Sequence, residues 1–293
     1  MRRPSYNVIT ALLIVASLAG AGMLLYPVLA DWWNNVHQSQ AIADYDHAVA
    51  QLDTSETDAV LAEAEAYNAR LAQTGALWRM DEEQKREYDG LLNVTGTGLM
   101  AYVDIPKIGV TLPIYHGTSD DVLVEAIGHI AGTSLPVGGV GTHCSVSGHR
   151  GLPNAQLLTD AGKLETGDLF VVTVLDRVLT YEVDQIRIVL PTEIDDLAID
   201  PTRDYFTLVT CTPYGVNSHR LLVRGHRVDN LPGTVKVLAD ALQVRPLFVA
   251  VALAIPAVVL FVVSVLLGTE WSLRHKKLLR EVARRFRRNA KGD

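Results

Sequence analysis

The chain has 293 residues, 48% of them hydrophobic, and a formal net charge of −7 at pH 7. The acidic balance argues against nucleic acid as a partner. Two cysteines allow at most one bridge, which excludes a disulfide-stapled mini-protein.

Two apolar stretches frame the chain, residues 8–30 and 246–268. Each is long enough to cross a ~30 Å hydrocarbon core as a helix. Residues 1–30 hold two Lys/Arg and no acid, and residues 272–293 hold nine Lys/Arg against two Asp/Glu. Of the chain's 26 Lys/Arg and 33 Asp/Glu, that leaves 15 and 31 for residues 31–271. Positive flanks stay in the cytoplasm. The expectation is a plasma-membrane protein with both termini cytoplasmic and an acidic extracellular body. Val28-Leu29-Ala30 also fits a signal-peptide cleavage site, so cleavage of the first stretch is the competing reading.

Residues 36–90 read as helix. Ala41, Tyr45, Ala48 and Leu52, then Val60, Leu61, Ala64, Tyr67 and Leu71, recur at helical spacing. Ser55-Glu56-Thr57-Asp58 offers capping chemistry between two helices. The segment is a weakly amphipathic arm that packs on something else. From about Gly98 to Arg227, runs of Val, Ile, Leu and Thr are broken by Gly and Pro, as in an antiparallel-rich barrel or sandwich. Helical signal there is limited to 122–127 and 155–158. The domain expectation is a stub and anchor at 1–35, a helical arm at 36–97, a catalytic body at 98–232, a linker and second span at 233–271, and a basic tail at 272–293.

The chemistry centres on Cys211, which ends an apolar strand-like run from Tyr205. A turn follows, Thr212-Pro213-Tyr214-Gly215-Val216-Asn217-Ser218, and a second strand begins with His219-Arg220. A thiol at the mouth of a hairpin, with an arginine across from it, is a candidate nucleophile. Arg224 has the same strand parity as Arg220 and competes with it. In Gly141-Thr142-His143-Cys144-Ser145-Val146-Ser147-Gly148-His149, strand alternation puts Cys144 on the face opposite His143 and His149. Cys144 then reads as a small buried hydrophobe rather than a disulfide partner. His149 runs into a turn, where an imidazole is exposed at a site rim. His143 and His219 are its local competitors. No metal-ligand spacing or phosphate loop occurs, so no metal or cofactor is expected.

These residues carry a resemblance. The stretch from Thr207 through Thr210-Cys211-Thr212-Pro213-Tyr214 to Arg220 and Gly225 resembles the signature of class C, or pilin-polymerising, sortases. Gly148-His149-Arg150-Gly151-Leu152-Pro153 resembles the segment holding that class's histidine. Ile105-Pro106-Lys107-Ile108 and Leu112-Pro113-Ile114-Tyr115 match in order, as does the run from Gly128 to Pro136. The resemblance implies a mainly β fold: an eight-stranded sortase barrel with a helical arm and two flanking transmembrane helices. It implies a cysteine transpeptidase with Cys211, His149 and Arg220 in its site. It also implies partners: pilin subunits and surface proteins bearing an LPXTG-like signal. The same resemblance leaves open a housekeeping sortase that anchors proteins to peptidoglycan. Class C enzymes often carry a lid with an Asp-Pro-aromatic motif. Gly75-Ala76-Leu77-Trp78-Arg79-Met80-Asp81 lacks that motif, which leaves Trp78 and Asp81 as the lid candidates.

Overall fold

The computed structural model describes residues 6–152 and 155–230. Three helices come first: α1 (Tyr6–Gln51), α2 (Thr54–Thr74) and α3 (Glu82–Gly90). Eight strands follow: β1 (Leu99–Ile105), β2 (Val110–His116), β3 (Ile127–His129), β4 (Thr142–Ser147), β5 (Leu169–Val174), β6 (Arg177–Val189), β7 (Asp204–Thr212) and β8 (His219–Val228). A short helix, α4 (Asp120–Glu125), sits between β2 and β3.

The strands close into a barrel in the order β1-β2-β3-β4-β7-β8-β6-β5. Closure decides between barrel and sandwich and leaves no open sheet edge at the β1–β5 seam. Two neighbouring pairs are parallel, β2 with β3 and β4 with β7. Inside, Phe170 and Tyr181 stack and Phe206 packs tilted against both, with ring centroids 5.5–5.6 Å apart. Gly225 makes room for them, since a Cβ there would lie 2.7 Å from Phe170.

The arm packs on this barrel through the face expected of it. Tyr45, Leu61, Ala64, Tyr67 and Leu71 are buried in the same apolar core as the strands. The Tyr45 hydroxyl donates to Met100 O (2.9 Å) and accepts from Leu175 N (2.8 Å), which fixes α1 across β1 and the end of β5. Desolvation is the main cause of its raised pKa.

Two sequence expectations need correction. The cap between α1 and α2 is Asp53, not Ser55: its carboxylate accepts from Glu56 N, and the Glu56 side chain accepts from Asp53 N. A carboxylate one residue outside the helix reaches the N3 amide better than a serine already inside it. Residues 155–158 are not helical: Ala155 makes an isolated bridge with Leu152, and Leu157 turns the chain at φ 39°. No helix among the described residues is long and apolar enough to cross a membrane. The described residues therefore give no support to the expected transmembrane helix at 8–30. Residues 6–51 are assigned to α1, which contains Pro27. The stretch at 246–268 and the basic tail lie outside the described residues.

Candidate active site

β4 and β7 run parallel, with Ser147 level with Val209. Gly148 N donates to Val209 O (3.0 Å), which carries the pairing one residue past the end of β4. Two residues beyond Ser147 and Val209 stand His149 and Cys211. The register and the Gly148–Val209 bond thus lead the turn that holds His149 off the end of β4 beside the strand that carries Cys211. β7 and β8 form the antiparallel hairpin read from the sequence, and Cys211 stands directly opposite Arg220. Cys211 and Arg220 therefore sit on β7 and β8, with His149 two residues past the end of β4. All three are half-buried.

Arg220 and its competitor differ in what holds them. Arg224 makes a two-point ion pair with Asp184 (3.0 and 2.9 Å) and lies over the Tyr205 ring at 4.1 Å. Arg220 bonds only backbone carbonyls near its own hairpin, Asn217 O (3.3 Å) and His219 O (3.2 Å). Among the described residues it makes no ion pair.

The competing histidines have structural roles. His143 is 1% exposed, and its ring nitrogens meet Ala198 O (2.8 Å) and Thr207 Oγ1 (2.7 Å). His129 is fully buried between Tyr88 Oη (2.9 Å) and Ser134 O (2.9 Å). Desolvation lowers both to about 4. His219 bonds Ser218 Oγ (2.9 Å) on the exposed hairpin loop. Both cysteines are free thiols. Cys144 is buried, and burial pushes its thiol well above the ordinary value. No cluster of three metal-ligating side chains occurs among the described residues.

Sequence reasoning passed over Arg150 and Tyr214. The Arg150 guanidinium reaches Thr212, next to Cys211 (3.1 Å), and the Tyr214 ring lies against Gly151, where a Cβ would be 2.6 Å away. Gly151 has φ 82°, which the turn after His149 requires and glycine supplies. The turn glycine was legible; the partners of the two side chains depend on distant strands.

The two lid candidates lie elsewhere in the contact network. Asp81 caps α3, accepting from Glu83 N and Gln84 N (2.9 Å each). Trp78 is 42% exposed. The segment is held by Leu77 N donating to Gly132 O (2.8 Å). Among the described residues, no hydrogen bond or ion pair joins 75–82 to Cys211, His149 or Arg220. A Cβ at Gly132 would lie 1.9 Å from Leu77 O, and its φ is 86°. Gly132→Ala is therefore expected to cost more than about 1 kcal/mol. It should release the segment, seen as faster tryptic cleavage after Arg79. An unchanged cleavage rate would show that Leu77 is held by something else.

Known proteins resemble this chain in sequence and fold. A Sortase domain model matches residues 103–228. Sortase C1 from Streptococcus agalactiae is 49% identical, with a TM-score of 0.64, over 65% of this chain and 99% of that one. The chain belongs to the sortase family. Its structural resemblance is to class C sortases. A lid mutant of sortase A from Corynebacterium diphtheriae is 42% identical, with a TM-score of 0.59, covering 62% of this chain and 98% of that one. Sortase SrtE1 of Streptomyces coelicolor is 25% identical over 79% of this chain and 61% of its own length. The chain spans about three fifths of the length of the curated relatives it matches. Sortases are cysteine transpeptidases.

Proposed function

We propose that this sortase cleaves an LPXTG-like signal between Thr and Gly and joins the acyl group to a pilin lysine, polymerising pili. What supports the reading is the β7–β8 pairing that sets Cys211 opposite Arg220, with His149 following Gly148, whose amide bonds Val209 of β7. The Cys211 thiolate attacks the threonine carbonyl carbon, its proton having passed to His149. Arg220 stabilises the oxyanion that forms. His149 then protonates the departing glycine nitrogen, leaving a thioester on Cys211. An incoming amine loses its proton to His149 and attacks the thioester, and the thiolate leaves. A covalent intermediate is what allows one amide to be exchanged for another, because the acyl group must survive loss of the first amine.

The choice of a pilin lysine as acceptor rests on likeness. Streptococcus pneumoniae sortase C, characterised for pilin substrate specificity, is 39% identical with a TM-score of 0.57, over 65% of this chain and 97% of that one. Membrane attachment rests on the charge pattern and on aromatics that close the first apolar stretch. Tyr26, Trp32 and Trp33 are 60%, 42% and 59% exposed, as side chains at a membrane interface are. A tethered enzyme and a tethered substrate meet at raised effective concentration. The barrel faces outward and both termini lie in the cytoplasm.

Intact-mass analysis tests the reading on the full chain in detergent, given an LPXTG-type peptide and a lysine-bearing pilin domain. The expected result is a thioacyl adduct on Cys211 that resolves into a Thr–Lys isopeptide. Resolution only by a short cross-bridge amine would indicate a wall-anchoring sortase, and resolution only by water a hydrolase.

A further inference from the structure

The residues on either side of His149 bond the residues on either side of Cys211. Before the histidine, Gly148 O accepts from Thr210 Oγ1 (2.8 Å) and Gly148 N donates to Val209 O. After it, Arg150 Nη1 donates to Thr212 Oγ1 (3.1 Å). Thr210 and Thr212 share one face of β7, and Cys211 points to the other. The first brace continues the sheet and is backbone-rich. The second is a single side chain at the point where β4 has ended.

Arg150 also reaches back into its own loop. Its Nε donates to Thr159 O (3.2 Å), and Gly151 N donates to Thr159 Oγ1 (3.0 Å). The loop is shaped around the guanidinium, since a Cβ on Gly162 would lie 3.0 Å from Nη2. One rigid planar group therefore ties Thr159 and Thr212 together. A lysine has a single donor head and cannot span both sites with fixed geometry.

From this geometry we infer that Arg150 is a positioning residue, holding His149 in register with Cys211 by bridging Thr159 to Thr212. The inference rests on the transpeptidase reading, because the register matters only if the two side chains exchange a proton. A misplacement of about 1 Å at a reacting centre costs up to about 100-fold in rate. Among the described residues Arg150 bonds Thr159 and Thr212 and not Cys211, so its loss is expected to act on turnover rather than on peptide affinity.

The test uses the full chain in detergent with an LPXTG-type peptide and an amine acceptor. Arg150→Ala is expected to lower kcat by about 10–100-fold with KM within about threefold of wild type. Thr212→Val, which keeps the side-chain shape and removes the acceptor, should lower kcat in the same direction. The double variant should be no worse than Arg150→Ala alone, because both changes break one bridge. Arg150→Lys should not rescue. A kcat within about twofold of wild type, a loss confined to KM, or multiplicative losses in the double variant would each overturn the inference. Should Arg150→Ala fail to fold, Thr212→Val decides by the same criterion. If the wild-type chain turns over no sorting peptide, the transpeptidase reading itself has failed. The bridge is then judged by the rate at which iodoacetamide modifies Cys211. A change of about threefold or more in both variants upholds it, and unchanged rates reject it.

Discussion

Arg220→Lys is expected to lower kcat/KM for a sorting peptide by about 100–1,000-fold, the usual cost of removing an oxyanion donor. Arg224→Lys should stay within about threefold of wild type at a temperature where it is folded. Both arginines lie on β8 with the same parity, so sequence alone ranks them only by distance from the thiol. The structure separates them by partner. Arg224 is consumed by Asp184 and by the Tyr205 ring, and it stabilises the outer face of the β7–β8 hairpin. Arg220 stands opposite Cys211 with no acidic partner among the described residues. A planar fork can hold an oxyanion and a backbone carbonyl together, which a lysine ammonium does less well. Steady-state kinetics on the two variants, with melting temperatures beside them, separate chemistry from folding. Equal losses at both positions would mean that Arg220 acts through the fold and not on the acyl group.

The local parts of this fold were legible because they follow short-range rules. The run from Tyr205 to Cys211, the turn at Pro213 and the return at His219 specify a hairpin from pattern and turn chemistry alone. The arm's buried face could be read from helical spacing at Tyr45, Leu61, Ala64 and Leu71. What the pattern leaves out is pairing at long range. What leads His149 toward the Cys211 strand is the parallel β4–β7 register, which joins positions 62 residues apart such as Ser147 and Val209. Parallel pairing has no hairpin to announce it, so only the family resemblance linked the two positions in advance. Arg150 was missed for the same reason. Its partner Thr212 is 62 residues away, and nothing near Arg150 distinguishes it from a solvated turn charge.

Stability is expected to fall steeply as pH drops from 6.5 toward about 4, the interval over which His129 and His143 differ from free histidine. Burial lowers both, because desolvation penalises the imidazolium. The sign follows from which state binds the proton. The unfolded chain takes it up near 6.5, whereas the native chain resists until about 4. Their contribution is thus fully present above 6.5 and lost progressively below it. By pH 5 the two sites together remove about 4 kcal/mol, a large share of a typical domain's stability. Asp104 and Asp204 act in the opposite sense. Burial raises both above the ordinary 3.8, so the native state holds their protons more tightly and they offset part of the loss at the acid end. Both histidines sit where strain would reach the site. His143 fixes the loop before β7 through Ala198, and His129 ties α3 to the β3–β4 loop through Tyr88 and Ser134. Urea unfolding followed by tryptophan fluorescence across this interval measures the effect. His129→Gln should lower stability at neutral pH and about halve the pH dependence. A free energy of unfolding that stays flat from pH 6.5 to 5 would mean that the two imidazoles are not held neutral by the fold.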